Sequence, residues 1–391
     1  MKACPLSQKD VMTPSVISSL YLHIPFCARK CVYCDFFSVP YNEALALRYV
    51  DALVREIALR KDDAGELKTI YMGGGTPTTL PVISLVRLFK AIRDTFTPAA
   101  GAEVTIEANP GTLDREKVRA LAGMGVNRLS LGVQSFDDNV LKLLGRVHTF
   151  EDVLRAVAHV RDSPVQNFSI DLIYGVPGQT LRDWEKTVLT AIELFPHHIS
   201  AYELTPEKGT PLFARIEKGE LSKPGEDSII EMYDSALESF EAAGYHQYEI
   251  SNLAIPGYEC RHNLNYWNRG EYIGVGAGAH GFIGDKRMRN TLSLERYIGD
   301  VRSGNLPVEE STEISCEDAV KEFIFLGLRK TEGLDIKMFR EELDIGIAEA
   351  SKELIAEGLL KTDGARVKLT RKGLFVSNAV IRKLFEKLAM R

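Results

Sequence analysis

From Val16 to about Thr205, short apolar, β-branched runs alternate with longer stretches whose apolar residues recur every three or four positions. The runs Leu20–Ile24, Thr69–Met72, Glu103–Ala108, Arg128–Val133, Phe168–Ile173 and Ile199–Leu204 predict strands. Between them, Glu43–Leu59, Ser84–Thr95, Asp114–Met124, Glu151–Arg161 and Leu181–Leu194 predict amphipathic helices. In the second of these, Leu85, Leu88, Phe89 and Ile92 mark one apolar face. Asp114 and Asp183 are acids suited to a helix cap or first turn. Strands joined in series by helices imply parallel neighbours with right-handed crossovers, in a barrel or a doubly wound sheet. Polar or glycine residues mark the carboxyl end of nearly every strand: Cys27, Gly73 to Pro77, Glu107 to Pro110, Gln134, Asp171 to Gly175 and Glu203 to Thr205. Loops gathered from so many strands favour a barrel with one chemical mouth. The fold class predicted is α/β, a partial (β/α)6 TIM-like barrel.

Further on, Glu226–Ala243 predicts another helix, followed by Tyr245–Ala254 and a His-, Asn-, Gly- and aromatic-rich stretch, Cys260–Gly284. A boundary is expected around Gly299–Thr312. Beyond it Glu317–Leu328, Ile336–Leu343 and Ile347–Glu357 predict helices. Leu359–Thr362 and Arg366–Thr370 predict a hairpin turning on Asp363-Gly364, and a last helix follows Lys372. This is a small winged-helix-like α+β module. The expected segments are residues 1–15, a core barrel at 16–205, a barrel extension at 206–300 and a C-terminal domain at 301–391.

Composition changes this picture little. The 391 residues are 45% hydrophobic and 26% charged, ordinary for a globular protein. A net charge of −6, with acids mixed through the C-terminal helices, argues against nucleic acid as a partner. No apolar run approaches a membrane span, and Met1 to Pro14 lacks the apolar core of a signal peptide. Six cysteines in so long a chain, three of them clustered, do not read as a disulfide framework. A cytoplasmic, reducing location is expected, with peripheral membrane contact left open.

The clustered cysteines, Cys27, Cys31 and Cys34, are spaced C-x3-C-x2-C after the first strand. Three thiolates in seven residues can close around a soft metal centre. Structural zinc wants a fourth ligand, for which His23 and Asp35 are the nearby candidates. A cubane iron–sulfur cluster held by three thiolates instead keeps one iron open. Inert buried thiols are the third reading. Gly73-Gly74-Gly75-Thr76-Pro77 lets backbone approach a ligand closely, or simply makes a tight turn. Glu107 ends the third strand, where a carboxylate can accept hydrogen bonds from a ribose or an ammonium. Gln134, Arg146 and Asp171 stand at neighbouring strand ends. Gly274 to Gly281 is glycine-rich but lacks the spacing and the strand–helix setting of a dinucleotide fingerprint.

The cysteine spacing, with Tyr33 just before the third cysteine, resembles the radical S-adenosylmethionine (SAM) superfamily. That resemblance implies a 4Fe–4S cluster whose open iron is chelated by SAM, and reductive cleavage of SAM to a 5′-deoxyadenosyl radical. The Gly73–Pro77 run resembles the glycine-rich motif that holds the SAM amino group there. Tyr21 to Cys27, Ile106 to Pro110, Arg128 to Phe136, Leu144 to His148 and Asp171 to Thr180 together resemble the oxygen-independent coproporphyrinogen oxidases and their relatives, over essentially the whole chain. By that match Tyr21, Gly74, Gly75, Thr76, Glu107, Gln134, Arg146 and Asp171 would contact SAM, and Tyr33 would lie near a cofactor or substrate pocket.

Two departures separate the groups within that family. The oxidases carry C-x3-C-x2-C-x-C, whereas Phe36 stands here in the last position. They also have a longer segment before the cluster, where 26 residues precede Cys27 here. Glu259 to Trp267 contains H-N-x-x-Y-W and resembles the HemW-type haem chaperones. This resemblance implies haem as a ligand, with His262 or Cys260 offering an axial ligand and Tyr266 and Trp267 flat apolar area for a porphyrin. It further implies haem-acceptor proteins, among them membrane respiratory enzymes, an electron donor such as flavodoxin or ferredoxin, and a homodimer as one candidate state. The alternative is oxidative decarboxylation of coproporphyrinogen III.

Overall fold

The computed structural model describes residues 17–388 except 166 and 340. The expected N-terminal segment 1–15 lies outside the described residues.

Six parallel strands follow one another in the sheet in chain order: β1 (Ser19–Ile24), β4 (Glu66–Gly74), β5 (Thr97–Ala108), β6 (Arg128–Gln134), β7 (Asn167–Tyr174) and β8 (His198–Glu203). The two-residue strands β2 (Phe26–Cys27) and β3 (Val39–Pro40) pair with each other outside this sheet. The six are the expected strands: five run longer than expected, and β8 is shifted by one residue toward the amino end. Three short strands widen the sheet to nine. β11 (Ile273–Val275) pairs parallel to β1, while β10 (Asn252–Ala254) and β9 (His246–Glu249) add antiparallel beyond β8. The edge strands β11 and β9 do not pair with each other, so the barrel is open. Three or four residues carry too little alternation to announce such edge strands from sequence.

The period of two explains the layering. Leu20, Leu22, Ile24, Met72, Ile106, Leu129, Leu131, Ile170 and Ile199 are fully buried on the helix-covered face and join one large core. The alternate positions, Tyr71, Glu107, Arg128, Ser130, Gln134, Asp171, His198 and Ser200, line a cavity on the concave face. A closed TIM barrel fills this space with branched apolar layers. Here it is polar, and built to receive something.

The covering helices begin where side chains can satisfy their free N–H groups. Helix α1 (Glu43–Leu59) is capped by Asn42, whose Oδ1 accepts from Leu45 N at 3.0 Å. Next come α2 (Val82–Thr95) and α3 (Arg115–Gly123), the latter capped by Asp114 as expected. A short helix α4 (Asp138–Leu143), absent from the sequence reading, precedes α5 (Phe150–Arg161). Asp183 completes a capping box with Thr180 at the start of α6 (Leu181–Glu193). Then follow α7 (Pro211–Glu217), α8 (Glu226–Ala242) and α9 (Arg261–Trp267). After β12 (His280–Ile283) and β13 (Lys286–Asn290) comes α10 (Leu294–Arg302).

The strand β14 (Val308–Glu313) pairs with β13, so the break in packing falls near Ile314 rather than at residue 301. From there a second core forms around Ile324, Leu328, Leu354 and Leu384. It gathers α11 (Cys316–Arg329), α12 (Glu341–Ala356), α13 (Arg371–Phe375) and α14 (Ser377–Lys387) on a three-stranded sheet of β15 (Leu334–Asp335), β16 (Leu360–Asp363) and β17 (Arg366–Leu369). The helix expected at Ile336–Leu343 is instead a 3-10 turn at Ile336–Met338, with α12 starting at Glu341. Asp335 Oδ1 accepts from Lys337 N at 3.1 Å and caps that turn locally. Among the described residues no helix is long and apolar enough to cross a membrane.

Candidate cofactor site at the mouth of the open barrel

The cysteine loop leaves β1 and is closed at its base by backbone. Val39 N donates to Pro25 O at 2.7 Å and Tyr41 N to Cys27 O at 2.8 Å. The thiols of Cys27, Cys31 and Cys34 are free, half-buried and on one cavity wall. Arg146 Nη1 lies 3.5 Å from Cys31 Sγ, and its Nη2 donates to Gly132 O at 2.5 Å. Thr76 Oγ1 lies 3.7 Å from Cys27 Sγ. Burial pushes the Cys27 and Cys34 thiols up, and the Arg146 guanidinium works against this at Cys27, toward the thiolate a cluster needs.

His23 is no fourth ligand. Its Nε2 donates to Phe37 O at 2.9 Å, and its Nδ1 accepts from the Tyr21 hydroxyl at 3.0 Å. Asp35 is exposed on the rim. Among the described residues no three His, Cys, Asp or Glu side chains converge tightly enough for a single ion. Thiolates that each bind a different iron of a cubane stand further apart than ligands of one zinc.

The glycine run abuts this loop. A Cβ on Gly75 would stand 2.8 Å from Phe26 O and 3.0 Å from Cys27 Sγ, and one on Gly73 would stand 2.9 Å from the Glu107 carboxylate. Gly74 has φ +112, where a side chain is strained, and its Cβ would meet the His23 ring at 2.6 Å. The Glu107 carboxylate accepts from the Tyr71 hydroxyl at 2.8 Å and from Gly74 N at 3.2 Å. Burial dominates its titration and raises it to about 7, against the Tyr71 hydrogen bond. Gln134 takes φ 69 where the β6–β7 register shifts, a bulge at the cavity edge. Asp171 accepts from Ser130 Oγ at 3.1 and 3.3 Å, and burial raises its pKa.

One cavity of about 590 Å³ therefore gathers Cys27, Cys31, Cys34, Tyr33, Gly74, Gly75, Thr76, Glu107, Gln134, Arg146 and Asp171. Tyr21 does not line it. It stacks on Tyr71 from the neighbouring strand, ring centroids 6.2 Å apart. The cavity also has wall residues that the sequence reading did not single out: Arg128, Ser130, His198, Ser200, Tyr202 and Asn263. Continuing the period of two back along β6 from Gln134 through Gly132 and Ser130 reaches Arg128, the signal that marks it.

The segment Cys260–Trp267 lies at the opposite, amino-terminal end of these strands. Glu103 of β5 takes the start of α9: its carboxylate accepts from Arg261 N at 2.9 Å and His262 N at 3.0 Å. His262 is 1% exposed. Its Nδ1 lies 2.8 Å from Thr69 Oγ1 and its Nε2 lies 2.8 Å from the Tyr266 hydroxyl. Burial lowers the imidazole pKa to about 3 and raises the Cys260 thiol to about 12. Trp267 lies under the Arg329 guanidinium, 4.8 Å from its ring centroid, joining α9 to the C-terminal unit. His262, Tyr266 and Trp267 do not line the cavity, whereas Asn263 does.

A Radical SAM superfamily model matches residues 21–191, and a HemN C-terminal domain model matches residues 314–376. A Bacillus subtilis (strain 168) protein named Heme chaperone HemW is 41% identical to this chain, over 83% of this chain and 87% of its own. The chain belongs to the HemW family. The Escherichia coli (strain K12) Heme chaperone HemW is 37% identical, over 80% of this chain and 83% of its own. Among solved structures, coproporphyrinogen III oxidase (HemN) from Escherichia coli, described as a radical SAM enzyme, aligns with a TM-score of 0.83. The alignment covers 96% of this chain and 92% of that one at 24% identity, a likeness of fold. Membership of the radical SAM superfamily implies a 4Fe–4S cluster and SAM, and the donor set of this HemW-family chain fits both. Among the described residues, three free thiols face a polar cavity without a fourth ligand, beside a glycine cradle that a Cβ would fill.

Proposed function

We propose that this protein is a haem chaperone: it binds haem, keeps a cluster and SAM at the barrel mouth, and passes haem to acceptor proteins. Cys27, Cys31 and Cys34 hold the cluster. When bound, cluster and SAM together supply one-electron reductive cleavage of a sulfonium. The chain's own residues prepare that site. Arg146 sets a positive charge beside the thiolates, and Thr76 points at Cys27. Glu107, ionising near neutrality, can take the ammonium or ribose of SAM, while Gln134 and Asp171 offer further polar contacts. The observation that carries the chaperone reading is the likeness to curated relatives of that name over most of both chains. Phe36, 66% exposed on the cavity rim, supports it, because the oxidases are expected to carry a cysteine there.

Haem is taken up through the 260–267 segment, with His262 as axial ligand once its hydrogen bond to Tyr266 or Thr69 opens. Cys260 is the second candidate. The acceptors include respiratory enzymes at the membrane, met by a cytoplasmic, peripherally docking protein. Flavodoxin or ferredoxin is the electron donor, and a homodimer is one working state.

Anaerobically reconstituted protein titrated with haem should develop a Soret band that saturates at a fixed haem-to-chain ratio. Protoporphyrinogen IX formed from coproporphyrinogen III, SAM and reductant would instead establish the oxidase. Unchanged haem spectra in both His262→Ala and Cys260→Ala would remove both as ligands.

A further inference from the structure

Among the described residues, two buried nitrogens on the cavity wall, Arg128 Nε and His198 Nδ1, have no partner. Arg128 is 2% exposed, and among the described residues its Nε has no hydrogen-bond acceptor and its guanidinium meets its acidic neighbours only through longer-range charge. A guanidinium stays charged in a protein, and a buried charge without a counter-ion costs several kcal/mol. The nearest compensation is indirect. Glu103, Glu107 and Asp171 act on it from a distance while their oxygens serve the start of α9, Tyr71 and Ser130 respectively. The second nitrogen is Nδ1 of His198, also buried and unpaired. Its Nε2 lies 2.8 Å from the Tyr248 hydroxyl, and that hydroxyl accepts from Cys260 N at 3.4 Å. Among the described residues Nε2 is the acceptor within reach of the Tyr248 proton, and that direction puts the imidazole proton on Nδ1. Two N–H donors, one of them cationic, thus sit on the wall of one cavity, and Asn263 of α9 lines the same cavity.

We propose that the floor of the open barrel is a carboxylate subsite, with Arg128 as the anchoring charge and His198 and Asn263 as supporting donors. It takes the carboxylate arm of a ligand that enters past the cluster loop. Two sources share this chemistry: a propionate of a porphyrin, which rests on the haem reading, and a free short-chain carboxylate, which does not. The placement also gives the H-N-x-x-Y-W segment a second task. His262 and Tyr266 anchor α9 across the sheet floor, and Asn263 reaches the subsite from it.

The test uses full-length, cluster-reconstituted protein with three probes: metal-free deuteroporphyrin, its dimethyl ester, and carbon-13-labelled butyrate. The free acid is expected to bind about tenfold more tightly than the ester, read by fluorescence quenching. Arg128→Gln is expected to bring that ratio to about one. Asn263→Asp, a half-buried position, should lower acid affinity severalfold by repulsion while sparing the ester, and serves if the Arg128 variant does not fold. An Arg128-dependent butyrate shift without acid-over-ester preference supports the subsite and assigns it to a free carboxylate. Equal acid and ester affinities in the wild type, with no butyrate shift, would overturn the proposal. Acid-over-ester preference without any haem Soret band would keep the subsite and sink the haem reading.

Discussion

The Tyr71 hydroxyl donates to the Glu107 carboxylate across 2.8 Å, joining neighbouring strands β4 and β5 at the mouth of the barrel. Burial raises this carboxylate and the bond pulls it part of the way back, which leaves it at the edge of ionisation.

Glu107 titrates near 7 in the folded protein against an ordinary value of 4.5. The native state therefore binds more protons than the unfolded state between these values, so this group makes the ligand-free protein less stable as pH rises through them. Glu107→Gln should flatten that slope, by roughly 3 kcal/mol at most across the window. The same variant should lose SAM affinity, which in the wild type should rise from pH 6 to pH 8. Thermal melts and SAM titration over that range check both; a Gln variant with the wild-type slope rejects the role.

Each of Cys27→Ser, Cys31→Ser and Cys34→Ser should abolish stable cluster retention and leave circular dichroism unchanged. The thiols are half-buried loop groups and carry little of the core. Iron content and absorption near 400 nm are the measurements, and a brown, iron-replete single variant would refute the three-thiolate assignment.

Gly75→Ala should cost about 1–3 kcal/mol and reduce cluster content, because its Cβ would press on the backbone oxygens of Phe26 and Ile24 and on Cys27 Sγ. Urea unfolding and iron analysis test this. An alanine variant with wild-type stability and iron would show that the cradle is not filled by that Cβ.

His262→Ala removes a buried imidazole that bridges Thr69 and Tyr266, leaving both hydroxyls short of a partner. A loss of roughly 2–4 kcal/mol in urea unfolding is expected, with or without haem. Haem titration of the same variant reads the ligand role separately: a wild-type Soret band in a destabilised protein would leave His262 as an anchor alone.

Much of this was legible before any coordinates. The six parallel strands follow from apolar positions of period two between stretches of period 3.6, and the helix starts at Asp114 and Asp183 from acids that serve their own helix ends; the Thr180 half of the second capping box was not read. The three cysteines and the glycine run are likewise local patterns. The helix at Asp138–Leu143 was not legible, being six residues with little periodicity. Nor were strands β9, β10 and β11, whose pairing depends on the sheet edge they join.

By itself the sequence determined the parallel α/β core, the thiol triad and the strand ends that face one mouth, because each is written in neighbouring residues. The tertiary structure alone decided that β11, β10 and β9 extend the sheet at its two edges, that its concave face is polar to the floor, and that α9 lies across that floor. The partners that place His262 and Asn263 there, Thr69 and Glu103, stand more than 150 residues away in the chain. No local pattern specifies such a pairing; it is selected only when burial obliges each polar group to find a partner.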